Sequence, residues 1–128
     1  AIQSIMPTPW FDGELVFGVD SYGELRGLDA RTGDRLWMTY EATGGQSDRW
    51  ANAFLVRQGD RFFIPNEKGD LIIARLDRDG YHELSRTHLL EPTGAAQQRK
   101  VVWSHPAFAN KSIILRNDAE IVSASLAK

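Results

Sequence analysis

Short runs in which apolar and polar residues alternate dominate the sequence, and amphipathic helical patterns are hard to find. Such runs, rich in Val, Ile, Leu, Phe and Trp, are typical of β-strands. Between them lie pairs such as Asp12-Gly13, Thr32-Gly33 and Asp79-Gly80, which suit tight hairpin turns. The pattern predicts an all-β protein. The predicted strands cover residues 14–19, 25–28, 36–40, 53–56, 61–65, 71–76, 101–104, 112–115 and 121–126.

A repeat is visible in this pattern. Gly23-Glu24-Leu25 recurs as Gly69-Asp70-Leu71, 46 residues later. The segment 50–54 (WANAF) matches the segment 103–107 (WSHPA) at a spacing of 53 residues. A repeat of about 40–50 residues built from about four short strands is typical of a propeller blade. Because a blade cannot bury both of its faces alone, neighbouring blades must stack.

The repeat divides the chain, residues 1–128, into the units of a single partial β-propeller. We predict four-stranded antiparallel blades at 4–43 and 50–90, and an incomplete blade at 101–127 that lacks its outer strand. Polar, Gly-containing connectors at 42–49 and 91–100 are expected to be surface loops. Three blades are fewer than the usual number of about four to eight. We therefore expect the C-terminal part of a larger propeller, completed by the remaining blades of a longer chain or by a second copy.

The stretch that begins at Gly27 resembles the repeat of the quinoprotein-type β-propellers, also called the pyrroloquinoline-quinone (PQQ)-like repeat. The pattern of that family is Ala-x-Asp-x-x-Thr-Gly-x-x-x-Trp. Asp29, Thr32, Gly33 and Trp37 fit it, and Gly27 stands where Ala is usual. We expect Asp29 and Thr32 to bond the turn backbone and Gly33 to adopt the left-handed conformation. Trp37 is then expected to dock between adjacent blades.

The second unit departs from this motif. At a spacing of 47 residues from the first motif it has Ala74 and Gly80, with Asp79 in the Thr position and Leu84 in the Trp position. We therefore expect it to lack the Trp dock. The segments 49–54 and 101–109 also look like exported bacterial proteins of this repeat class. The resemblance implies an exported or periplasmic protein, although the chain itself shows no targeting segment.

The family name suggests a quinone cofactor, but we expect no cofactor here. Quinoprotein dehydrogenases hold their quinone with calcium ligands, a base Asp and commonly a vicinal disulfide, whereas this chain has no Cys and no matching ligand motif. Most relatives with such repeats are non-catalytic scaffolds, similar to the outer-membrane assembly propellers. An alternative is a fragment of a PQQ-dependent oxidoreductase whose cofactor site lies on missing blades.

Composition and spacing exclude several other classes. The net charge of −2 gives no attraction to a phosphate backbone, so we expect no nucleic-acid partner. No apolar run approaches the roughly 18 residues of a membrane span. The spacings between His82, His88 and His105 suit no metal site. The segment 77–80 (DRDG) begins like a calcium loop, but without the later Glu it is better interpreted as a hairpin turn. No catalytic residue is assigned.

The candidate ligand-binding residues lie where we expect the innermost strands to begin. Alternation places Trp50 and Asn52 on one face of their strand, and Trp103 and His105 on one face of theirs. Trp rings beside amide and imidazole groups suit a flat or sugar-like ligand at the mouth of a propeller channel. The alternative is that both Trp rings fill the core between blades. Met6 and Thr8 hold the equivalent places in the first unit.

These observations predict a non-catalytic β-propeller module that acts as a scaffold for a protein or a small-molecule ligand. A carbohydrate- or peptide-binding propeller is the other alternative. An incomplete propeller also leaves apolar blade faces and strand edges without neighbours, which favours association. We expect such contacts through the face of the first unit near Trp10 and Phe11, or through the face and outer edge of the third unit.

Overall fold

The structure, a computed structural model, describes residues 2–126. Within that range the chain forms thirteen strands and no helix, so the predicted all-β class is confirmed. Residue 127, the last of the predicted third blade, lies outside the described residues. The strands are β1 (Trp10–Asp12), β2 (Leu15–Val19), β3 (Leu25–Asp29), β4 (Arg35–Thr39), β5 (Val56–Gln58), β6 (Arg61–Pro65), β7 (Asp70–Leu76), β8 (Tyr81–His88), β9 (Gly94–Ala96), β10 (Arg99–Val101), β11 (Ala107–Ala109), β12 (Ser112–Arg116) and β13 (Ile121–Ser125).

The strands form three meander sheets and one separate hairpin. Sheet 1 has the order β1-β2-β3-β4 and sheet 2 the order β5-β6-β7-β8. Among residues 2–126, sheet 3 consists of β11-β12-β13. Neighbouring strands are antiparallel throughout. The predicted set of two four-stranded sheets and a third without its outer strand is therefore present.

The hairpin of β9 and β10 corrects one expectation. It lies in the connector that we predicted to be a surface loop without strands, and it pairs Arg99 with Ala96 and Val101 with Gly94. Its turn is made by Gln97 and Gln98, with φ of 50° and 63°. Non-glycine residues rarely adopt this conformation, so no sequence signal marked the turn.

The core consists of two apolar layers between successive sheets. Successive residues of a strand point to opposite faces, so sheet 2 contributes to both layers. Phe62 and Ile72 join the layer shared with sheet 1, and Phe63 and Leu71 join the layer shared with sheet 3. The sheets therefore stack face to face. The first layer also contains Phe17, Val19, Leu25, Ala42, Ala53, Leu55, Ile64, Ala74 and Leu76, and the second Leu90, Val102, Ile113 and Leu115.

The two exposed aromatic residues of β1 point to opposite sides of sheet 1. Trp10 packs edge-on against Phe62 of sheet 2, with ring centroids 6.1 Å apart. Phe11 is 70% exposed and pairs with Val16 on the other face. Only Phe11 therefore lies on the outward face that we expected both residues to share.

Candidate functional site

The innermost strands begin later than the sequence pattern predicted. β5 begins at Val56 and β11 at Ala107, so Trp50 and Trp103 lie in the irregular segments before them. The registers pair Val56 with Phe63 and Ala107 with Ile114. This relation gives the two units a spacing of 51 residues here, rather than 53. The predicted correspondence of the two Trp residues is therefore wrong.

When the 51-residue spacing is continued back from β5 and β11 into the irregular segments, it aligns Trp103 with Asn52 and His105 with Phe54. The two-residue error arose because the matching Trp letters outweighed the weaker alternation of the strands. Trp50 itself lies in a turn over residues 48–51, closed by the hydrogen bond from the Ala51 N–H to the Asp48 carbonyl, and its φ is 61°. Its backbone N–H donates to the carbonyl of Ser21, 2.6 Å away, which holds this irregular segment against sheet 1.

A buried carboxylate, Glu67, joins Asn52 and Trp103. Glu67 lies in the turn between β6 and β7 and is 2% exposed. Its Oε1 accepts a hydrogen bond from the backbone N–H of Asn52 at 3.1 Å and another from the indole N–H of Trp103 at 3.2 Å. Its own N–H donates to the Asn52 carbonyl at 3.2 Å, and its carbonyl accepts from the N–H of Val102 at 2.6 Å. The turn thus connects the second unit to the third.

Arg99, from β10, completes the environment of Glu67 and extends it to Trp50. Its Nε lies 2.6 Å from Glu67 Oε2, and this hydrogen bond raises the pKa of the guanidinium although burial opposes the shift. Its Nη2 also donates to the carbonyl of Arg49 at 2.9 Å. The guanidinium of Arg49 in turn lies 4.9 Å from the centroid of the Trp50 ring. Trp50 is therefore tied to the same group of residues.

His105 reaches the group through a ring contact. Its imidazole is exposed and lies 4.7 Å from the ring of Phe54, at an interplanar angle of 50°. The segments 49–54 and 99–105 consequently run side by side, and we call their common exposed side the inner-loop surface. Trp50 and Trp103 are half-buried there. Of the counterparts in the first unit, Met6 is half-buried and Thr8 exposed.

Asn52 differs from the other three predicted site residues because it is enclosed. It is 3% exposed, and neither polar atom of its side chain has a hydrogen-bond partner among the described residues. Its backbone groups, in contrast, both bond to Glu67. The side chain therefore lies beneath the inner-loop surface rather than on it. The ligand-binding role of Trp50, Asn52, Trp103 and His105 stays a prediction.

The residues that organise this site were missed by the sequence analysis. Glu67 stood in the segment 66–69 (NEKG), which has the composition of an ordinary hairpin turn. Arg99 stood in a connector predicted to be a loop. No spacing relates the two residues, because the sheets bring together positions 32 residues apart. Only the burial of an otherwise unremarkable turn carboxylate reveals the connection.

The repeat motif builds the outer turn of sheet 1 and ties it to sheet 2. Asp29 Oδ1 accepts from the backbone N–H groups of Arg31 at 2.9 Å and Thr32 at 3.3 Å. Its Oδ2 accepts from the guanidinium of Arg78, in the β7–β8 turn, at 3.0 Å. The bonds from Arg31, then Arg78 and Thr32, lower the pKa of Asp29. The Thr32 hydroxyl accepts a backbone N–H two residues on at 3.2 Å, and Gly33 has a φ of 77°.

Trp37 makes a second connection between these sheets. Its indole N–H donates to the carbonyl of Asp77 in the same β7–β8 turn, at 2.7 Å. Its ring packs against the first apolar layer, with its centroid 5.9 Å from that of Phe17. The outer edge of sheet 1 is therefore held to sheet 2 by one ion pair and one indole hydrogen bond.

The strand register of sheet 2 places a different residue at the position of Trp37 from the one that the sequence alignment predicted. Both sheets have a shift of register at the same place, after the pairs Gly27–Trp37 and Ile73–Ser85. The counterpart of Gly27 is thus Ile73 rather than Ala74, and the counterpart of Trp37 is Ser85 rather than Leu84. In sheet 1 a large ring covers a glycine, whereas in sheet 2 a large aliphatic side chain faces a serine.

The three histidines lie at separate places. His82 Nε2 is 3.1 Å from Asp77 Oδ1, and His88 lies between Asp70 and Glu91. Among residues 2–126 no group of three or more His, Asp or Glu side chains has an arrangement that holds a metal ion. Nor does that part of the chain contain a helix long and apolar enough to span a membrane.

Comparison with known proteins shows which solved structures have a similar arrangement of sheets. No family model and no curated protein matches the chain. Among solved structures, 47 chains match. A quinohemoprotein alcohol dehydrogenase from Comamonas testosteroni matches over 89% of this chain with a TM-score of 0.57 and 15% identity. BamB from Moraxella catarrhalis matches over 97% of this chain with a TM-score of 0.56 and 21% identity. The chain has the fold of the quinoprotein-type β-propellers.

The likeness extends to a designed protein and concerns the propeller fold alone. The computationally designed Ika8 protein matches over 90% of this chain with a TM-score of 0.55 and 13% identity. At such identities the match carries no information on activity. The present propeller chain spans 17% of the length of the dehydrogenase, 31% of Ika8 and 35% of BamB. The predicted resemblance to the PQQ-like repeat is thus confirmed as a fold.

Proposed function

We propose that this chain is part of a non-catalytic β-propeller that binds a polypeptide segment of another protein at the inner-loop surface. The observation that supports this proposal most is the set of hydrogen bonds that the buried carboxylate of Glu67 accepts. Both of its oxygens accept hydrogen bonds from Arg99, Trp103 and the backbone of Asn52. The carboxylate therefore serves to position the two segments, and it is not free for proton transfer to a substrate.

The side chains that Glu67 and Arg99 hold in place suit recognition of a polypeptide. Trp and Arg are enriched among the residues that dominate binding energy at protein interfaces. The inner-loop surface presents Trp50 beside the Arg49 guanidinium and places exposed His105 against Phe54. These groups combine flat apolar area with hydrogen-bond donors. Because buried bonds fix the segments that carry them, little ordering is required on binding.

The likeness to BamB and to the dehydrogenase concerns the fold and leaves two hypotheses for the whole protein. A binding role at a propeller surface agrees with the inner-loop geometry. The oxidoreductase alternative places its cofactor site on blades outside this chain and gives the inner-loop surface no role. By the same family resemblance, we infer that the protein is exported or periplasmic.

A peptide array tests the binding role. The full chain is applied to random and natural-sequence peptides, and the selected peptides are then titrated in solution. We expect His105→Ala and Trp50→Ala to weaken binding by about thirtyfold or more, since truncation of an interface anchor costs about 2 kcal/mol or more. The matched control is Trp10→Ala, which removes a partly exposed Trp outside this surface. Thermal unfolding of each variant establishes that it is folded.

Three results would contradict the proposal. Equal loss of binding in Trp10→Ala would show that the surface is not specific. Binding of oligosaccharides but of no peptide, with the same dependence on Trp50, would favour the carbohydrate-binding alternative. Saturable binding of PQQ with Ca²⁺, accompanied by dye-linked alcohol oxidation, would favour the oxidoreductase.

A further inference from the structure

A cavity of about 420 Å³ opens between sheets 2 and 3 at the end opposite the inner-loop surface. β5 starts near the inner-loop surface and ends at this cavity. Two hairpin turns, β5–β6 and β11–β12, form its walls. It is lined by Gln58, Arg61, Phe63, Phe108, Ala109, Asn110, Lys111, Ser112 and Leu126.

The floor of the cavity is aromatic. Phe63 and Phe108 stack with their ring centroids 5.8 Å apart and their planes 9° from parallel. Leu126 adds an aliphatic wall, and its position is set by its backbone N–H, which donates to the carbonyl of Lys111 at 2.7 Å. A ring placed here would contact the Phe63–Phe108 pair and the side chain of Leu126.

The corresponding space between sheets 1 and 2 already holds an aromatic ring. There, Tyr81 lies opposite Leu76 and packs against the first apolar layer together with Leu15. Phe62 pairs with Ala74 in sheet 2 as Ile113 pairs with Ala124 in sheet 3, which makes Leu126 the counterpart of Leu76. Among residues 2–126 sheet 3 has no fourth strand, and within that range no residue takes the place of Tyr81 at its cavity.

The rim of the cavity is cationic, unlike the space that Tyr81 fills. By register Arg61 takes the place of Leu15, and Lys111 lies on the facing turn. The nearest carboxylate to Arg61 is that of Asp60, 4.0 Å from Nε and itself 84% exposed. Within residues 2–126 no carboxylate lies within ion-pair distance of Lys111. Such an exposed pair contributes little, so both cations are available to an external anion.

We propose that this cavity binds an aromatic carboxylate, with the ring on the Phe63–Phe108 floor and the carboxylate between Arg61 and Lys111. The amides of Gln58 and Asn110 lie on the same rim and supply further donors. Arg–carboxylate bonds are charge-assisted and directional, while the stacked rings provide apolar area. Two sources share this chemistry: a free aromatic acid, and the C-terminal aromatic residue of a peptide.

Calorimetric titration of the full chain tests the proposal with N-acetyl-L-phenylalanine and with its amide, which lacks the carboxylate. We expect the acid to bind and the amide to bind at least about tenfold more weakly, the loss typical of a charge-assisted hydrogen bond. The variants Arg61→Gln and Lys111→Asn should each weaken the acid by a similar factor. Asn is chosen because the φ of Lys111 is 57°, a region that Asn tolerates. Arg31→Gln, at an exposed position in the β3–β4 turn of sheet 1, is the matched control and should leave the affinity unchanged.

Further titrations distinguish a free aromatic acid from a peptide C-terminus as the natural ligand and state which results would overturn the proposal. 3-Phenylpropionate is compared with the peptide Ala-Ala-Ala-Phe carrying a free or an amidated C-terminus. Tighter binding of the free-terminus peptide points to a protein C-terminus, and tighter binding of the small acid points to a metabolite; either supports the site. Equal affinity of acid and amide, or unchanged affinity in both cation variants while they remain folded, overturns it. Loss of affinity in Arg61→Gln and Lys111→Asn distinguishes binding in this cavity from binding at the inner-loop surface, and Trp50→Ala should leave the affinity for the acid unchanged.

Discussion

The indole ring of Trp37 lies directly against the backbone of Gly27. A Cβ atom built on Gly27 would be 2.5 Å from Nε1 and 2.8 Å from Cζ2 of that ring. The ring cannot easily withdraw, because its N–H donates to the carbonyl of Asp77 in sheet 2. The glycine is thus matched to the tryptophan, although the repeat family usually has alanine at this position.

We therefore predict that Gly27→Ala destabilises the chain. Inserting a methyl group into a filled site forces neighbouring groups apart and typically costs about 1–3 kcal/mol. Urea denaturation, monitored by circular dichroism, measures the change in the free energy of unfolding. The variant should also disturb the Trp37 indole N–H resonance, since the ring must move away from Asp77.

Gly44→Ala is the matched control for this substitution. A Cβ there would meet only the flexible Cε of Lys68, at 3.0 Å, so we expect a change within about 0.5 kcal/mol. If Gly27→Ala and Gly44→Ala had equal effects, the close packing of Trp37 on Gly27 would not determine stability.

A second prediction concerns the carboxylate that joins sheets 2 and 3. In Glu67→Gln, an amide N–H₂ faces the donors of Arg99 in place of an accepting oxygen, while the shape of the side chain is kept. Removing one partner of a largely buried ion pair typically costs about 3–5 kcal/mol; we expect about 3 kcal/mol here, because Arg99 retains some contact with solvent. Glu120→Gln, at an exposed position, should change the unfolding free energy by less than about 0.5 kcal/mol. A loss below about 1 kcal/mol in Glu67→Gln would contradict the structural role.

Asn52 and Asn66 provide a third prediction, because they are buried equally but bonded differently. Asn66 Nδ2 donates to the Ala42 carbonyl, and its Oδ1 accepts from the backbone N–H groups of Lys68 and Asp70, whereas the Asn52 amide has no partner among the described residues. Replacing an unpartnered buried amide by an apolar group of similar size is neutral or stabilising. We expect Asn52→Leu to leave the free energy of unfolding unchanged or to increase it by up to about 1 kcal/mol. We expect Asn66→Leu to decrease it by about 2–3 kcal/mol.

Thermal and urea unfolding of both variants check this difference. Asn52→Leu also tests whether the amide beneath the inner-loop surface takes part in ligand binding, since the variant is expected to remain folded. If Asn52→Leu were as destabilising as Asn66→Leu, the Asn52 amide would have a partner that stabilises the native state.

Strands β2, β3, β4, β6, β7, β12 and β13 and their hairpin turns were predictable because each rests on local chemistry, whereas β1 and β8 lay outside the predicted ranges. Alternating residues such as those of β12 bury one face of a sheet, and Gly33 or Gly59 supplies the positive φ that a hairpin requires. The β9–β10 hairpin was not predictable, since its turn places Gln97 and Gln98 in a conformation that their side chains disfavour.

The arrangement of residues between sheets was less accessible than the sheets themselves. Alignment by letters matched Trp50 with Trp103, but the spacing of the following strands aligns Asn52 with Trp103. The strand registers relate Gly27 to Ile73 at 46 residues, and no letter of the sequence distinguishes this spacing from the 47 residues that relate Gly27 to Ala74. The Glu67 network depends on three segments meeting in space, so it could be recognised only after folding was known.

The last prediction concerns pH and rests on His88. The imidazole lies between Asp70 Oδ1 at 2.7 Å and Glu91 Oε1 at 2.8 Å. The hydrogen bond to Asp70, followed by that to Glu91, raises the pKa of His88 above its ordinary value of 6.5. Arg86, 3.5 Å from the other oxygen of Asp70, is the facing cation. Because protonation is easier in the folded state, the stabilisation is complete below about pH 6.5 and is lost as the pH rises through the folded-state pKa.

We therefore expect the free energy of unfolding of the wild-type chain, measured by urea denaturation, to decrease between pH 6 and pH 8.5 by more than that of His88→Gln. The difference should be below about 1 kcal/mol, because the side chain is 47% exposed and the pair is screened by solvent. NMR titration of the imidazole protons measures the pKa directly, and Asp70→Asn should lower it. Thr87→Ala, an exposed substitution beside His88 that removes no titratable group, is the control and should keep the wild-type pH dependence. Identical pH profiles for the wild type and His88→Gln would show that the two carboxylates do not stabilise the folded chain through His88.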